Sequence, residues 1–240
     1  MEQPVHIIGR GIAGLAVAFE LASQGWQVHL HGPRSLPGSA TSAAVGVCSV
    51  KGNIDALTPL FAAKIAAQAS LIQWLERIER VSGLKISRRL GVIEPIFDLK
   101  GYEAIRERVF HKKFTGCNLS KQINISELPS YLQGALGGVS YPADCWFDPI
   151  EALDSLEEAI TRLGGTASPA LVERIEDHPD HGVILITQNG AVHARQLVVA
   201  AGIFTNGILD RSGIDGFRQA PVEGESIFGR RNANESDFLL

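Results

Sequence analysis

The chain has 240 residues, 45% hydrophobic and 20% charged, a composition that describes a soluble globular protein with one large domain or up to two average ones. Its net charge of −4, with no Lys/Arg cluster, argues against nucleic acid as the main partner. No apolar run reaches membrane-spanning length, the first thirty residues lack the basic start of a signal peptide, and Cys48, Cys117 and Cys145 form neither a metal pattern nor a disulfide framework; a reducing cytoplasm is the expected location.

The first expected element is a strand, Val5-His6-Ile7-Ile8, which runs into the loop Gly9-Arg10-Gly11-Ile12-Ala13-Gly14 and at once into a helical pattern, Leu15 to Ser23. Strand, G-x-G-x-x-G loop and helix in this order suit a dinucleotide pyrophosphate. Gly9 permits the tight turn, Gly11 lets the backbone approach the phosphates, and Gly14 lets the helix pack closely on the strand. The helix start adds free N–H groups and a positive dipole end. Gly9, Gly11, Ile12, Ala13 and Gly14 are therefore candidate cofactor residues, with a plain glycine-rich βα turn as the alternative. NAD, NADP and FAD all stay open at this point. A second strand, Gln27–His31, follows the Gly25 turn. The acid that would take the ribose hydroxyls falls at His31 or Gly32, and neither is acidic. Either Arg34 reads a 2′-phosphate, making the ligand NADP, or Arg34 is a solvated loop charge and the ribose is held by backbone or by His31.

Residues 38–53 are small, hydroxyl-rich and glycine-bearing, a loop able to lie against a ligand or another backbone. A long helix is expected from Asp55 to Val81, with Leu60, Ile65, Ala69, Ile72, Leu75 and Ile78 on one face, and Gly83 as its stop. Next come a strand over Leu90–Phe97, a charged helix Tyr102–Lys112, and a turn-rich stretch through Pro142. A helix with Asp148 as cap and Pro149 at its first position runs to Leu163 and ends at Gly164-Gly165. Strands are expected at Ala170–Ile175, Val183–Gln188 and Gln196–Ala200, with Asn189-Gly190 as a hairpin turn between the last two. The last strand enters Ala200-Ala201-Gly202, where small residues let the chain pass close to a cofactor or simply pack a tight strand-to-helix turn. The seven histidines are scattered, and no catalytic constellation is assigned.

Read together, the N-terminal glycine loop, the small-residue loop near 41–46, the Asp-Pro helix, Gly164-Gly165, the hairpin and Val198-Val199-Ala200-Ala201-Gly202-Ile203-Phe204-Thr205-Asn206 resemble the FAD-dependent amine and amino-acid oxidases of the D-amino-acid oxidase and glycine oxidase type. The resemblance spans nearly the whole chain and is most specific at its two ends. It implies an α/β fold: a Rossmann-like FAD-binding domain with a parallel sheet, from 1–83 and 146–220, plus a partial antiparallel substrate domain from 84–145 and 221–240. It implies FAD, with Gly9–Gly14 on the pyrophosphate and Thr41, Ser42, Ala43 and Ala44 passing beside pyrophosphate and flavin. Val172 would meet the adenine through its backbone, and Ala201-Gly202 would close over the cofactor, beside Ala200. His31 and Arg34 stand at the adenosine end. The implied reaction oxidises a small amine or amino acid, with hydride passing to the flavin. Tyr102, Phe97 and Trp146 are pocket candidates or core, and Cys48 is either a flavin attachment point or, as expected, a small buried thiol.

Such proteins continue beyond the segment Pro221-Val222-Glu223-Gly224-Glu225, which resembles the start of the second half of their substrate domain. The carboxylate-binding arginine and the final glycine-rich FAD segment of the family have no counterpart. The expectation is a fragment, a truncated frame or one subunit completed by another chain, with exposed apolar surface favouring a second subunit or homo-oligomer. A non-catalytic FAD-binding subunit and an NAD(P)-binding oxidoreductase are the alternative readings.

Overall fold

Strand β1 (Val5–Ile8) is buried along its whole length and is paired in parallel on both sides, by β2 (Val28–His31) and by β11 (Gln196–Val199). A strand covered on both faces needs apolar residues or polar side chains that satisfy one another; β1 supplies Val5, Ile7 and Ile8 together with His6, which is hydrogen-bonded to His31. The short β7 (Thr166–Ser168) extends the sheet on the far side of β2, giving the order β11-β1-β2-β7. This computed structural model describes residues 4–49, 59–101, 103, 121–128, 132, 134–179, 182–216 and 218–220.

The chain divides into two units, Met1–Ala44 with Leu75–Ile86 and Pro149–Ser226, and Val45–Trp74 with Ser87–Asp148 and Ile227–Leu240. In the first, helix α1 (Ile12–Ser23) buries Leu15, Ala18, Phe19 and Ala22, the spacing of a single helical face. That face packs with α4 (Pro149–Arg162), which buries Ala152, Leu153, Leu156, Ala159 and Ile160. Pro149 opens α4 where a missing N–H costs nothing. A second, antiparallel sheet in the order β10-β9-β8 is made from β8 (Val172–His178), β9 (Gly182–Thr187) and β10 (Gly190–Ala194). Its inner residues Val172, Ile175, Leu185 and Ala194 form one cluster with Ile8 of β1 and Ile208 of α5 (Thr205–Arg211). The small helix α2 (Ala40–Ala43) ends this unit's first segment.

The second unit is built on an antiparallel sheet of β3 (Val47–Cys48), β6 (Gly137–Phe147) and β4 (Arg88–Ile96), with β5 (Lys121–Ile123) also paired to β6. Ile96, Val139 and Tyr141 form its buried cluster, and the Tyr141 hydroxyl donates to Glu94 Oε2 at 2.8 Å. Helix α3 (Pro59–Ser82) starts within this unit's segments and ends within the other's.

Two expectations are corrected. The stretch through Pro142, expected to be turns, is the eleven-residue strand β6. Pro142 is tolerated because the ladder does not use it. On one side it falls between the pairings to β5 (Gly138–Ser140) and β3 (Cys145–Trp146). On the other it lies in the register shift where β4 passes from Leu90 to Val92. The Asn189-Gly190 turn joins β9 to β10, not to Gln196–Val199, because that last strand is drawn into parallel pairing with β1. The strand β7 carries no apolar pattern and was not expected. Apart from residue 103, the helix expected over Tyr102–Lys112 lies outside the described residues, as do Cys117, Pro221–Glu225 and residues 55–58 of the long helix expected from Asp55.

Phe19 has no exposed surface, so Phe19→Ala should remove about 3–5 kcal/mol of stability in urea unfolding. Leu90→Ala, at a residue 63% exposed, should shift the same transition by less than about 1 kcal/mol.

Candidate functional site

The glycine loop is held by backbone. Gly9 receives the chain from β1, and its N–H donates to His31 O at 2.9 Å while Ala200 N donates to Ile8 O at 2.8 Å. Gly9 has φ +111, and a Cβ there would stand 2.2 Å from Ala200 O. A Cβ on Gly14 would stand 2.1 Å from Gly9 O. The loop, the first turn of α1 and the end of β11 are thus in contact at a distance only glycine allows. Gly11 is different: it caps α1 in extended conformation, φ −78, open to any residue, and what a side chain would meet is the Thr41 hydroxyl at 3.2 Å.

The first turn of α1, Ile12-Ala13-Gly14-Leu15, holds no acid, so its N–H groups and dipole present uncompensated positive character. Thr41 Oγ1 accepts from Ile12 N at 3.1 Å, which brings the loop of α2 against the helix start. Ser42 Oγ lies 3.4 Å from both Ser35 Oγ and Ser39 Oγ, and Ala43 and Ala44 are exposed. Ala13 is exposed and Ile12 half-buried. After β11, Ala201 caps a 3-10 turn, Gly202–Phe204, and Gly202 is exposed at φ +56 with open space where a Cβ would point. Val172 is buried at the start of β8, in the cluster that Ile8 shares and against which Ala201 packs.

The end of β2 is built differently from the acidic fingerprint. Gly32, at φ +116, has nothing within 4 Å of a notional Cβ, and its N–H donates to Ser168 O at 2.9 Å. Arg10, inside the glycine loop, donates to Gly32 O at 3.3 Å and to Glu157 Oε1 of α4 at 2.8 Å. Arg34 pairs with Asp154 and with Glu157 of the same helix, so its charge is met by carboxylates of the protein. Arg10, Asp154 and Glu157 are not recognisable as a set from the sequence, since Arg10 lies far from α4 along the chain. The signal available is that Asp154 and Glu157 are three apart, hence on one face of α4.

His31 does not stand alone. Its Nε2 shares a 2.8 Å hydrogen bond with His6 Nδ1, the two rings are stacked at 5.1 Å, and His29 lies 4.6 Å from His31. His29 Nδ1 in turn is 2.6 Å from Thr166 Oγ1 on β7. Among the described residues, His31 Nδ1 is buried without a hydrogen-bond partner. Burial, then the neighbouring His29 and His6, pushes the His31 pKa down to about 4; His6 and His29 are lowered by burial too, His6 also by His29. The pattern is visible in sequence as His29-x-His31 on one face of a strand whose neighbour carries His6. Among the described residues, no group of three or more His, Cys, Asp and Glu is arranged to hold a metal ion. No described helix is long and apolar enough to cross a membrane.

In the second unit, Trp146 donates through Nε1 to Val45 O at 2.6 Å, and Phe97 is 56% exposed, which removes it from the core. Cys48 is half-buried, with its thiol pushed up by burial and then by Asp144. Tyr102 lies outside the described residues.

The sequence profile of the DAO family, FAD dependent oxidoreductases, matches residues 4–237, and the chain belongs to that family. Among curated relatives, the glycine oxidase of Geobacillus kaustophilus is 26% identical over 239 residues, covering 94% of this chain and 61% of the relative. The glycine oxidase of Bacillus licheniformis is 24% identical over 229 residues, covering 92% of this chain and 59% of the relative. The chain therefore spans about three-fifths of the length of these two enzymes. The crystal structure of the G. kaustophilus enzyme superposes with a TM-score of 0.77 at 22% identity, over 88% of this chain and 58% of that one, and this likeness shows the shared fold. The fold is the α/β arrangement of a parallel Rossmann-like sheet with antiparallel sheets, and FAD is the cofactor of the family.

The histidine cluster sets a pH dependence. His31 binds its proton below its ordinary value of 6.5 in the folded chain, so between about pH 6.5 and about pH 4 the unfolded state holds more protons. Stability contributed by neutral His31 is full above pH 6.5 and is lost progressively as pH falls through this window. Urea unfolding across the window should show a shallower loss for His31→Leu than for the parent chain; equal slopes would contradict the assignment.

Proposed function

We propose that the first unit binds FAD and that the protein oxidises an amine or amino acid in the manner of the glycine oxidases it is similar to. The observation that carries this reading is the extended, side-chain-free Gly11 leading into an α1 start that holds no acid and is backed by Thr41. A diphosphate is the ligand this arrangement suits: anionic oxygens facing backbone N–H groups at a helix N-terminus, with no Cβ in the way.

The residues present fit FAD in four places. Gly9 and Gly14 let β11, the loop and the first turn of α1 close up on bare backbone, and Gly11 and Ala13 can present their N–H groups to the pyrophosphate beside Ile12, whose N–H meets Thr41. The Thr41 hydroxyl, now an acceptor from Ile12, can donate its own proton to a phosphate oxygen, and Ser42, Ala43 and Ala44 continue alongside it. Val172 offers backbone to the adenine, and Ala200, Ala201 and Gly202 offer a small-residue surface beside the loop. At the ribose, Gly32 gives open space rather than an acid, and His31 is engaged with His6. Arg34, paired with Asp154 and Glu157, is not a spare cation for a 2′-phosphate, which favours FAD over NADP. When bound, the flavin supplies the acceptor for the hydride leaving the carbon beside the substrate nitrogen. The chain's own contribution is to hold and orient that cofactor; no described residue is assigned a catalytic role. We assign the second unit to the substrate side, and a reducing cytoplasm to the protein as its setting.

Titration of the purified chain with FAD, followed by quenching of flavin fluorescence, should give one-to-one binding. Gly11→Val, which sets a branched side chain against Thr41, should weaken it at least tenfold, about 1.4 kcal/mol, while NADPH gives no saturable signal. NADPH binding without FAD binding, or unchanged FAD affinity in Gly11→Val, would overturn the reading.

A further inference from the structure

Two cysteines lie directly opposite each other in the second unit. In the antiparallel pairing of β3 with β6, Cys48 is registered with Cys145 and Val47 with Trp146. One step further back, Phe147 N donates to Gly46 O at 3.1 Å, which marks that pair as hydrogen-bonded. Pair types alternate along such a ladder, so Cys48 and Cys145 occupy a hydrogen-bonded position with Cα atoms about 5.5 Å apart. That Cα spacing falls inside the window of about 4.4–6.8 Å for a disulfide, and because side chains of a hydrogen-bonded pair stand farther apart than those of the alternate pair, closing the bond requires the short edge strand to shift toward β6. Residues directly opposite point to one face, and the two thiols sense each other electrostatically. Both are free thiols, Cys48 half-buried on a two-residue edge strand and Cys145 only 1% exposed on the strand behind it.

We propose that Cys48 and Cys145 form a redox pair, in which a hydroperoxide oxidises Cys48 and Cys145 resolves the product into a cross-strand disulfide. The Cys48 thiolate attacks the peroxide oxygen: an S–O bond forms, the O–O bond breaks, and the departing alkoxide or hydroxide takes up a proton. The Cys145 thiolate then attacks the sulfenic sulfur: an S–S bond forms, the S–O bond breaks, and hydroxide leaves as water. In sum, two thiols and one hydroperoxide give one disulfide, one alcohol (or water) and one water. The order follows from access, since Cys48 is the thiol a small oxidant reaches first.

The environment makes the pair slow at neutral pH. Burial and then the Asp144 carboxylate push the Cys48 thiol up; burial and then Cys48 push Cys145 up, with Arg88 pulling it down. The Asp144 carboxylate is itself fixed beside the pair, accepting from Ser49 Oγ and, at 2.6 Å, from Gln68 Nε2. Thiolate, the reacting form, therefore grows as pH rises. Closing the bond would tie the edge strand β3, held otherwise by a short ladder, to the long strand β6.

The test uses the full chain carrying Cys117→Ser, so that only two thiols remain, exposed to hydrogen peroxide at about pH 7 and about pH 9. Thiol counting and non-reducing peptide mapping should show both thiols lost together and a Cys48–Cys145 cross-linked peptide lighter by two hydrogens. The bond should form faster at the higher pH and be reversed by dithiothreitol. Addition of Cys145→Ser should leave Cys48 as a sulfenic acid that dimedone traps. Oxygen uptake at Cys48 with Cys145 left free in the two-thiol chain, cross-linking between chains, or no reaction at either pH would overturn the proposal.

Discussion

Everything in the first unit depends on how closely three stretches of backbone meet at Gly9. The chain leaves β1 there, turns at φ +111, and passes so close to Ala200 that a Cβ would sit 2.2 Å from its carbonyl oxygen. The first turn of α1 comes equally close from the other side, through Gly14. A methyl group at either place would push β11 or α1 away from β1, and with them the pairing Val5–Ile8 to Gln196–Val199 that closes this end of the sheet. The same closeness leaves the start of α1 without an acid or a bulky side chain, its Ile12 N–H met only by the Thr41 hydroxyl, so the constraint that shapes the sheet also makes the anion site.

Charge is arranged around that site by elements far apart in sequence. No acid stands in the first turn of α1, whereas α4 carries Asp154 and Glu157 to the two nearby arginines, Arg10 and Arg34. These pairs are partly exposed, and each contributes little to stability on its own. Their consequence is for recognition. Arg10 is fixed between Glu157 and the Gly32 carbonyl, and Arg34 is compensated, so the positive character that remains in this region belongs to the helix start.

The parts of this architecture legible in the sequence are those written in local chemistry. β1, the glycine loop, α1 and β2 follow from neighbouring residues, as do the Pro149 start of α4 and the Asn189-Gly190 turn. What escapes is decided by partners at long range. Gly137-Gly138 and Pro142 read as turn residues until β4 supplies a register shift and β5 and β3 leave Pro142 unpaired. The Asn189-Gly190 turn is plain, but which strand it leads to depends on β1 taking Gln196–Val199 for itself. Within the site the glycines are visible because their role is steric and local. The Arg10–Glu157 pair is invisible because its members are 147 positions apart, and the contact exists only once α4 packs on α1.

The central claim is that the dinucleotide is held at the start of α1. Hydrogen exchange followed by mass spectrometry, with and without FAD, tests it at the level of the amides concerned. The account predicts added protection in peptides covering Gly9–Leu15 and Thr41–Ala44, with little change across β4 and β6. Protection confined to the second unit, or none at Gly9–Leu15 under saturating FAD, would contradict it.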